Sequence, residues 1–176
     1  YDADKTVHFL LKKDQKVRVL IERGFPDVLI NGKIDRSILG DIVFSDQESL
    51  KRLEEILHPR VKQYKAKFLQ NNRIRRQRLV VLDVPLLFEK GGDLDCDGVV
   101  VVSAPKFVQD QRVLKRPGMT KKKYMSILLR QIGDREKRKK ADFIISSSLG
   151  KRESLRKIRN IIELTQAWSQ RKKRTR

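Results

Sequence analysis

Two carboxylates and an imidazole stand within the first eight residues, as Asp2-Ala3-Asp4 and then His8. If a helix begins by Asp4, Asp4 and His8 share one of its faces, four residues apart. Carboxylates at a strand-to-helix junction can orient a hydroxyl, accept its proton or hold Mg²⁺. The same residues also make good helix caps, because negative charge is favourable at a helix N-terminus. A second acidic pair, Asp83 and Glu89, brackets Val84-Pro85-Leu86-Leu87-Phe88. An acid at the carboxyl end of a buried strand suits Mg²⁺ coordination in phosphate transfer, and it suits a capped loop equally well. His58 precedes Pro59 and Arg60 at an expected helix break, where a purely structural imidazole is the alternative. A basic set follows: Gln111, Arg112, Arg116, Arg130, Gln131, Arg135, Lys137 and Arg138. Arginine grips phosphate bidentately and stabilises charge on a transferring phosphoryl group. Arg112 lies inside an apolar-periodic helix and is the best of the set, whereas Lys137 to Lys140 also reads as a solvated face.

Elements must position these groups. The apolar run Val80 to Leu82 predicts a strand buried on both faces, ended by Pro85, which has no N–H to give a ladder. That places Asp83 near the carboxyl edge, where ligands sit in open α/β sheets. Val99 to Val102 and Phe143 to Ile145 predict two further strands. Helices are predicted over Lys5 to Lys13, Gln15 to Arg23, from Asp35-Arg36, and from Asp46 behind a Ser45–Glu48 capping box. His58-Pro59 is expected to interrupt this last helix before a new one covers Arg60 to Asn72. Asn31-Gly32 marks a tight turn. Pro105 opens a helix to about Lys115, Thr120 caps the next, and a final amphipathic helix from about Glu153 uses Leu155, Ile158, Ile162 and Trp168. The tail, Arg171 to Arg176, is expected to fray. Three strands separated by helices predict a parallel sheet with crossovers, and the helical stretch Lys5 to Arg78 reads as an inserted subdomain.

The 176 residues suffice for one good core. Lys and Arg number 42 against 22 Asp and Glu, a net charge of +20 that attracts polyanions without choosing among them. No stretch approaches a membrane span. The single cysteine, Cys96, excludes an internal disulfide and points to a reducing, cytoplasmic setting. Two His and one Cys cannot build a zinc site of the usual kind. The phosphate loop G-x-x-x-x-G-K-[ST] is absent, since Gly32-Lys33 precedes Ile34 and Gly150-Lys151 precedes Arg152. Residue 1 is Tyr, followed at once by Asp2-Ala3-Asp4. This reads as a cut inside a domain, so the chain is expected to be a fragment.

The ordered set Asp2-Ala3-Asp4-Lys5…His8, Ile34 to Leu39, Val43 to Asp46, Leu57-His58-Pro59, Leu82 to Glu89, Val99 to Val102, Gln111-Arg112…Arg116, Gln131…Arg135 and Ala141 to Ile145 resembles the dephospho-coenzyme A kinase family over nearly the whole chain. Asp83 to Glu89 is its most specific piece. The resemblance implies a P-loop kinase-like three-layer α/β/α fold with a parallel sheet, an inserted helical substrate domain and a helical lid. Residues 1–4 and 79–176 would form the nucleotide-binding core, with the lid at about 106–140, and residues 5–78 the substrate domain. It implies a phosphotransferase that uses ATP and Mg²⁺ to phosphorylate the ribose 3′-hydroxyl of dephospho-CoA. Asp4 would be the catalytic base and Arg112 the lid arginine on the transferred phosphate. Asp2, His8, Arg36, His58 and the run Pro85, Leu86, Leu87, Phe88, Glu89 would meet the acceptor. Arg116, Arg135 and Gly150 would meet the nucleotide, and Asp2 and Asp83 would organise Mg²⁺. Two departures stand out. No glycine-rich phosphate loop precedes Asp2, so the fragment is expected to be inactive. Ser146-Ser147-Ser148 also replaces the Asp-Asn that members often carry after this strand. The alternatives are another P-loop nucleoside or nucleotide kinase, or a basic nucleic-acid-binding protein acting through its tail.

Overall fold

In the computed structural model, aspartates open four consecutive helices. Asp2 accepts the Lys5 N–H at 2.8 Å and starts α1, Ala3–Lys13. Asp14 ends α1 and accepts the Lys16 and Val17 N–H groups at 3.0 Å, starting α2, Gln15–Gly24. After a 3₁₀ turn, β1 (Leu29–Ile30) and β2 (Lys33–Ile34) form an antiparallel hairpin. Asn31 (φ 49°) and Gly32 (φ 70°) supply its left-handed turn. Asp35 caps α3, Arg36–Ser45, and Asp46 caps α4, Gln47–Ile74. Each cap satisfies N–H groups that the helix itself cannot bond.

The structure describes residues 1–174 and divides the chain after Pro85 into two compact units. The first is held by Leu10, Val17, Ile21, Phe25, Val28, Leu39, Val43 and Leu57, with Leu10, Val17, Ile21 and Val28 fully buried. Burial of each such side chain contributes about 1.5–3 kcal/mol. These residues come from α1, α2, the 3₁₀ turn and the residue before it, α3 and α4.

Three local expectations fail here. The capping box does not form: Asp46 takes the Glu48 and Ser49 N–H groups, while the Ser45 hydroxyl turns back to the Asp41 and Ile42 carbonyls. A carboxylate one residue closer to the helix outcompetes the serine. Pro59 does not interrupt α4, which runs through it for 28 residues. A proline inside a helix costs about 3 kcal/mol. Leu50, Leu53, Ile56 and Leu57 before it, and Val61 and Tyr64 after it, all pack on the same core, and their burial exceeds that cost. Nor is Val80 to Leu82 a strand buried on both faces, because Val81 is 67% exposed. The segment is extended, but its partner is only Tyr1 to Ala3: the Asp83 N–H donates to the Tyr1 carbonyl at 2.7 Å, and the Ala3 N–H to the Asp83 carbonyl at 3.0 Å. Ala3 then enters α1, so among the described residues one parallel bridge, Asp2 with Asp83, is all the ladder this segment has.

The second unit opens with a turn over Leu86 to Gly91 and a 3₁₀ turn. There follow β3 (Val100–Ser103), α5 (Lys106–Leu114), α6 (Lys121–Leu129), α7 (Asp134–Lys140), β4 (Phe143–Ser146) and α8 (Lys151–Arg174). β3 and β4 pair in parallel, Val100 opposite Phe143 and Ser103 opposite Ser146. The crossover through α5 to α7 is the expected connection. β3 is buried on one face only, through Val101 and Ser103, whereas Val100 and Val102 are exposed. The Asp142 carboxylate accepts the Val99 N–H at 2.8 Å and fixes where pairing starts. Trp168 of α8 stacks on Phe143 at 5.5 Å, and its ring lies against Gly98. α8 begins two residues before the expected start and leaves Leu155 exposed. Of the tail expected to fray, residues 171–174 are helical, and Thr175 and Arg176 lie outside the described residues. Among the described residues no helix is long and apolar enough to cross a membrane.

Candidate functional site

In the first unit the site is built on the first turns of α1 and on α3. Capping commits the Asp2 carboxylate: besides the Lys5 N–H, it meets the Lys5 ammonium at 3.0 Å. The Lys5 N–H, followed by the Lys5 side chain, holds the Asp2 carboxyl below its ordinary pKa. Any metal role for Asp2 would have to displace those contacts. Asp4, two residues further and in the first turn of α1, is exposed. His8 follows four residues later, and its Nε2 accepts a hydrogen bond from Arg36 at 2.7 Å. Arginine has only donors, so Nε2 carries the lone pair and the ring proton sits on Nδ1. The structure thus brings His8 and Arg36 together, with Asp4 on the adjacent turn of α1. Asp83 holds its backbone bridge to Asp2 and exposes its side chain. His58 is exposed on α4, and Pro85 is exposed at the unit's end. Among the described residues no cluster of three or more His, Cys, Asp or Glu could hold a metal by itself.

In the second unit, Leu86 to Glu89 lie in a turn closed by the Gly92 N–H on the Leu87 carbonyl at 2.8 Å. Lys140 lies 5.8 Å from the centre of the Phe88 ring. Glu89 turns onto α7: its Oε1 accepts the Lys137 ammonium at 2.8 Å and the Ile132 N–H at 3.0 Å. The Glu89 side chain is 10% exposed and that of Lys137 18%, and Oε2 is buried without a donor. Burial pushes this carboxyl up, but Lys137 and two backbone N–H groups together outweigh it, and the group lies below its ordinary pKa.

Arg112 reaches from α5 to the loop after β4. Its two terminal nitrogens donate to the Ser147 hydroxyl at 2.9 Å and to the Ser147 carbonyl at 3.0 Å. With Gly150 (φ 90°), Lys151, Leu155 and Ile158 they line a cleft of about 550 Å³. It lies beside the carboxyl ends of two parallel strands, the edge at which α/β folds bind ligands. An arginine and a serine on an apolar floor fit a flat ring carrying phosphate. Arg116 and Arg135 are exposed on the same unit. Sequence reasoning did not single out Ser103, Asp134 or Ser147, which hydrogen bonds link around Arg112 and the strand ends. The serine triplet after β4 was the available signal, and it was readable only as a departure.

The chain is similar to known proteins over most of its length. The dephospho-CoA kinase family model (CoaE) matches residues 1–153. A dephospho-CoA kinase of Bartonella quintana is 42% identical over 163 residues, which is 93% of this chain and 83% of that protein. One from Rhodospirillum rubrum is 46% identical over 160 residues, 90% of this chain and 76% of that protein. Among solved structures, TT1252 from Thermus thermophilus superposes with a TM-score of 0.72 at 29% identity, covering 93% of this chain and 82% of that one. The dephospho-CoA kinase from Campylobacter jejuni gives 0.65 at 28% identity, covering 94% and 84%.

Proposed function

The chain belongs to the dephospho-CoA kinase family, with its α/β kinase fold, and from that premise we propose that it transfers the γ-phosphoryl group of ATP to the ribose 3′-hydroxyl of dephospho-CoA. One observation carries the reading: the family match spans residues 1–153 and so includes the chemistry-bearing groups of both units. In the reaction the 3′-oxygen bonds to the γ-phosphorus, the bond to the β-bridging oxygen breaks, ADP leaves, and the hydroxyl proton goes to a base. Asp4 is that base in our reading, an exposed carboxylate on the turn next to the His8–Arg36 pair. Arg36, His8 and His58 hold the acceptor, while the Glu89 carboxylate, 10% exposed and paired with Lys137, anchors its own turn instead. Arg112 stabilises charge on the transferred group. Arg116, Arg135 and the cleft at Gly150 take the nucleotide.

Mg²⁺ accompanies ATP in such transfers and draws charge from its phosphates. The exposed Asp83 carboxylate fits a hard cation that keeps most of its own waters. Residues 1–4 and 79–176 then serve as the nucleotide-binding core, 106–140 as its lid and 5–78 as the acceptor domain. None of the 176 residues supplies a glycine-rich phosphate loop. This polypeptide alone is therefore expected to bind dephospho-CoA without turning over ATP. The test is phosphoryl transfer by the full-length native protein to dephospho-CoA, to nucleosides and to nucleoside monophosphates in parallel. Preference for dephospho-CoA supports the reading, and preference for a nucleoside monophosphate replaces it.

A further inference from the structure

We propose that Ser147 is a positioning residue, which holds Arg112 in place at the carboxyl ends of β3 and β4. The proposal rests on the reading of Arg112 as the arginine that acts on the transferred phosphate. Arg112 is a long, exposed side chain with many rotamers, yet both terminal nitrogens are taken by one residue, Ser147, through its hydroxyl at 2.9 Å and its carbonyl at 3.0 Å. The hydroxyl is itself oriented. Its proton points to the Ser103 carbonyl at 3.3 Å, which also accepts the Ser147 N–H at 2.8 Å. A serine hydroxyl has one proton and two lone pairs, so the bond to Ser103 leaves a lone pair facing the guanidinium.

Ser103, the residue on the other strand, is buried, and its own hydroxyl meets both Asp134 oxygens, at 2.8 and 2.9 Å. Two serines at neighbouring strand ends therefore tie down two pieces of the crossover, α5 through Arg112 and α7 through Asp134. The sheet edge fixes Arg112 before any ligand arrives, so its charge needs no reorganisation during transfer. The serine triplet thus has a task of its own.

The experiment is a double-mutant cycle in the full-length native protein, with kcat and KM measured on ATP and dephospho-CoA. Arg112→Ala is expected to lower kcat by about 10²-fold or more. Ser147→Ala should lower kcat about 5- to 20-fold, part of what a hydrogen bond to a charged group is worth because the Ser147 carbonyl still holds the guanidinium, with the KM for dephospho-CoA within about 2-fold. Ser147→Thr keeps the hydroxyl and should restore kcat to within about 3-fold. In the Arg112→Ala background, Ser147→Ala should cost less than about 2-fold, because nothing is left to position. Equal costs in both backgrounds, beside a normal Arg112 defect, overturn the positioning role alone. Full turnover by Arg112→Ala overturns the reading of Arg112 beneath it, and the proposal with it.

Discussion

Asp4 is exposed on the first turn of α1, so its loss should leave the fold intact and strike only the chemistry. Asp4→Asn in the full-length protein is predicted to lower kcat about 10²- to 10³-fold while the KM for dephospho-CoA changes little, as expected when a general base is removed. Unaltered kcat would remove Asp4 from the role. A different residue-scale test concerns Gly98, where an added Cβ would lie 2.6 Å from the Trp168 ring. Gly98→Ala should cost about 1–3 kcal/mol in chemical denaturation, the range for overpacking. At this scale the sequence was most legible where one residue type admits few tasks. Asp4, His8 and Arg112 could be picked out as candidates by type and spacing, and Arg36 only through the family resemblance. Ser103, Ser147 and Asp134 could not, because serines and aspartates at strand and helix ends usually only cap, and their joint use depends on a crossover bringing residues some 30 to 45 positions apart into contact.

Many helices were readable from a start signal, as with Asp35 and Thr120, whereas α7 begins after Gly133 with no side-chain cap and its run of charge gave no helix reading. The failures occurred where distant packing overruled a local rule. Pro59 sits inside α4 at a cost that the core offsets, so Pro59→Ala should keep the helix and raise unfolding stability by up to about 3 kcal/mol. An unchanged or lowered denaturation midpoint would contradict that account. Val80 to Leu82 has strand composition, but a strand exists only as part of a ladder, and here the ladder is a single bridge. The join between Glu89 and α7 gives a pH prediction. Because the folded Glu89 carboxyl lies below its ordinary pKa, its contribution is complete above that ordinary value and is lost as pH falls through the depressed one. Urea midpoints should therefore decline for the native protein as pH drops below about 4.5, and Glu89→Gln should flatten that part of the decline. An equal slope in both proteins would show that the Glu89–Lys137 pair contributes no proton linkage.

Across the molecule, the excess of 42 basic over 22 acidic residues supplies a field suited to anionic substrates. Composition could not say which anion. The order of short motifs could, because it combines weak signals from residues 2 to 145 into one pattern, and the family match from 1 to 153 covers the same span. That order also marked His8, Arg36 and His58 as candidate acceptor groups and Arg112 as the candidate phosphate-facing arginine, whereas the hydrogen-bonded seating of Arg112 needed coordinates. The central claim is the identity of the phosphoryl acceptor. Its most direct measurement is ³¹P NMR of the product made by the full-length native protein from ATP and dephospho-CoA. The account predicts a new phosphomonoester on the ribose 3′-oxygen, formed together with ADP and formed about 10²- to 10³-fold more slowly by Asp4→Asn. ADP release without that phosphomonoester, or faster transfer to a nucleoside monophosphate, would contradict it.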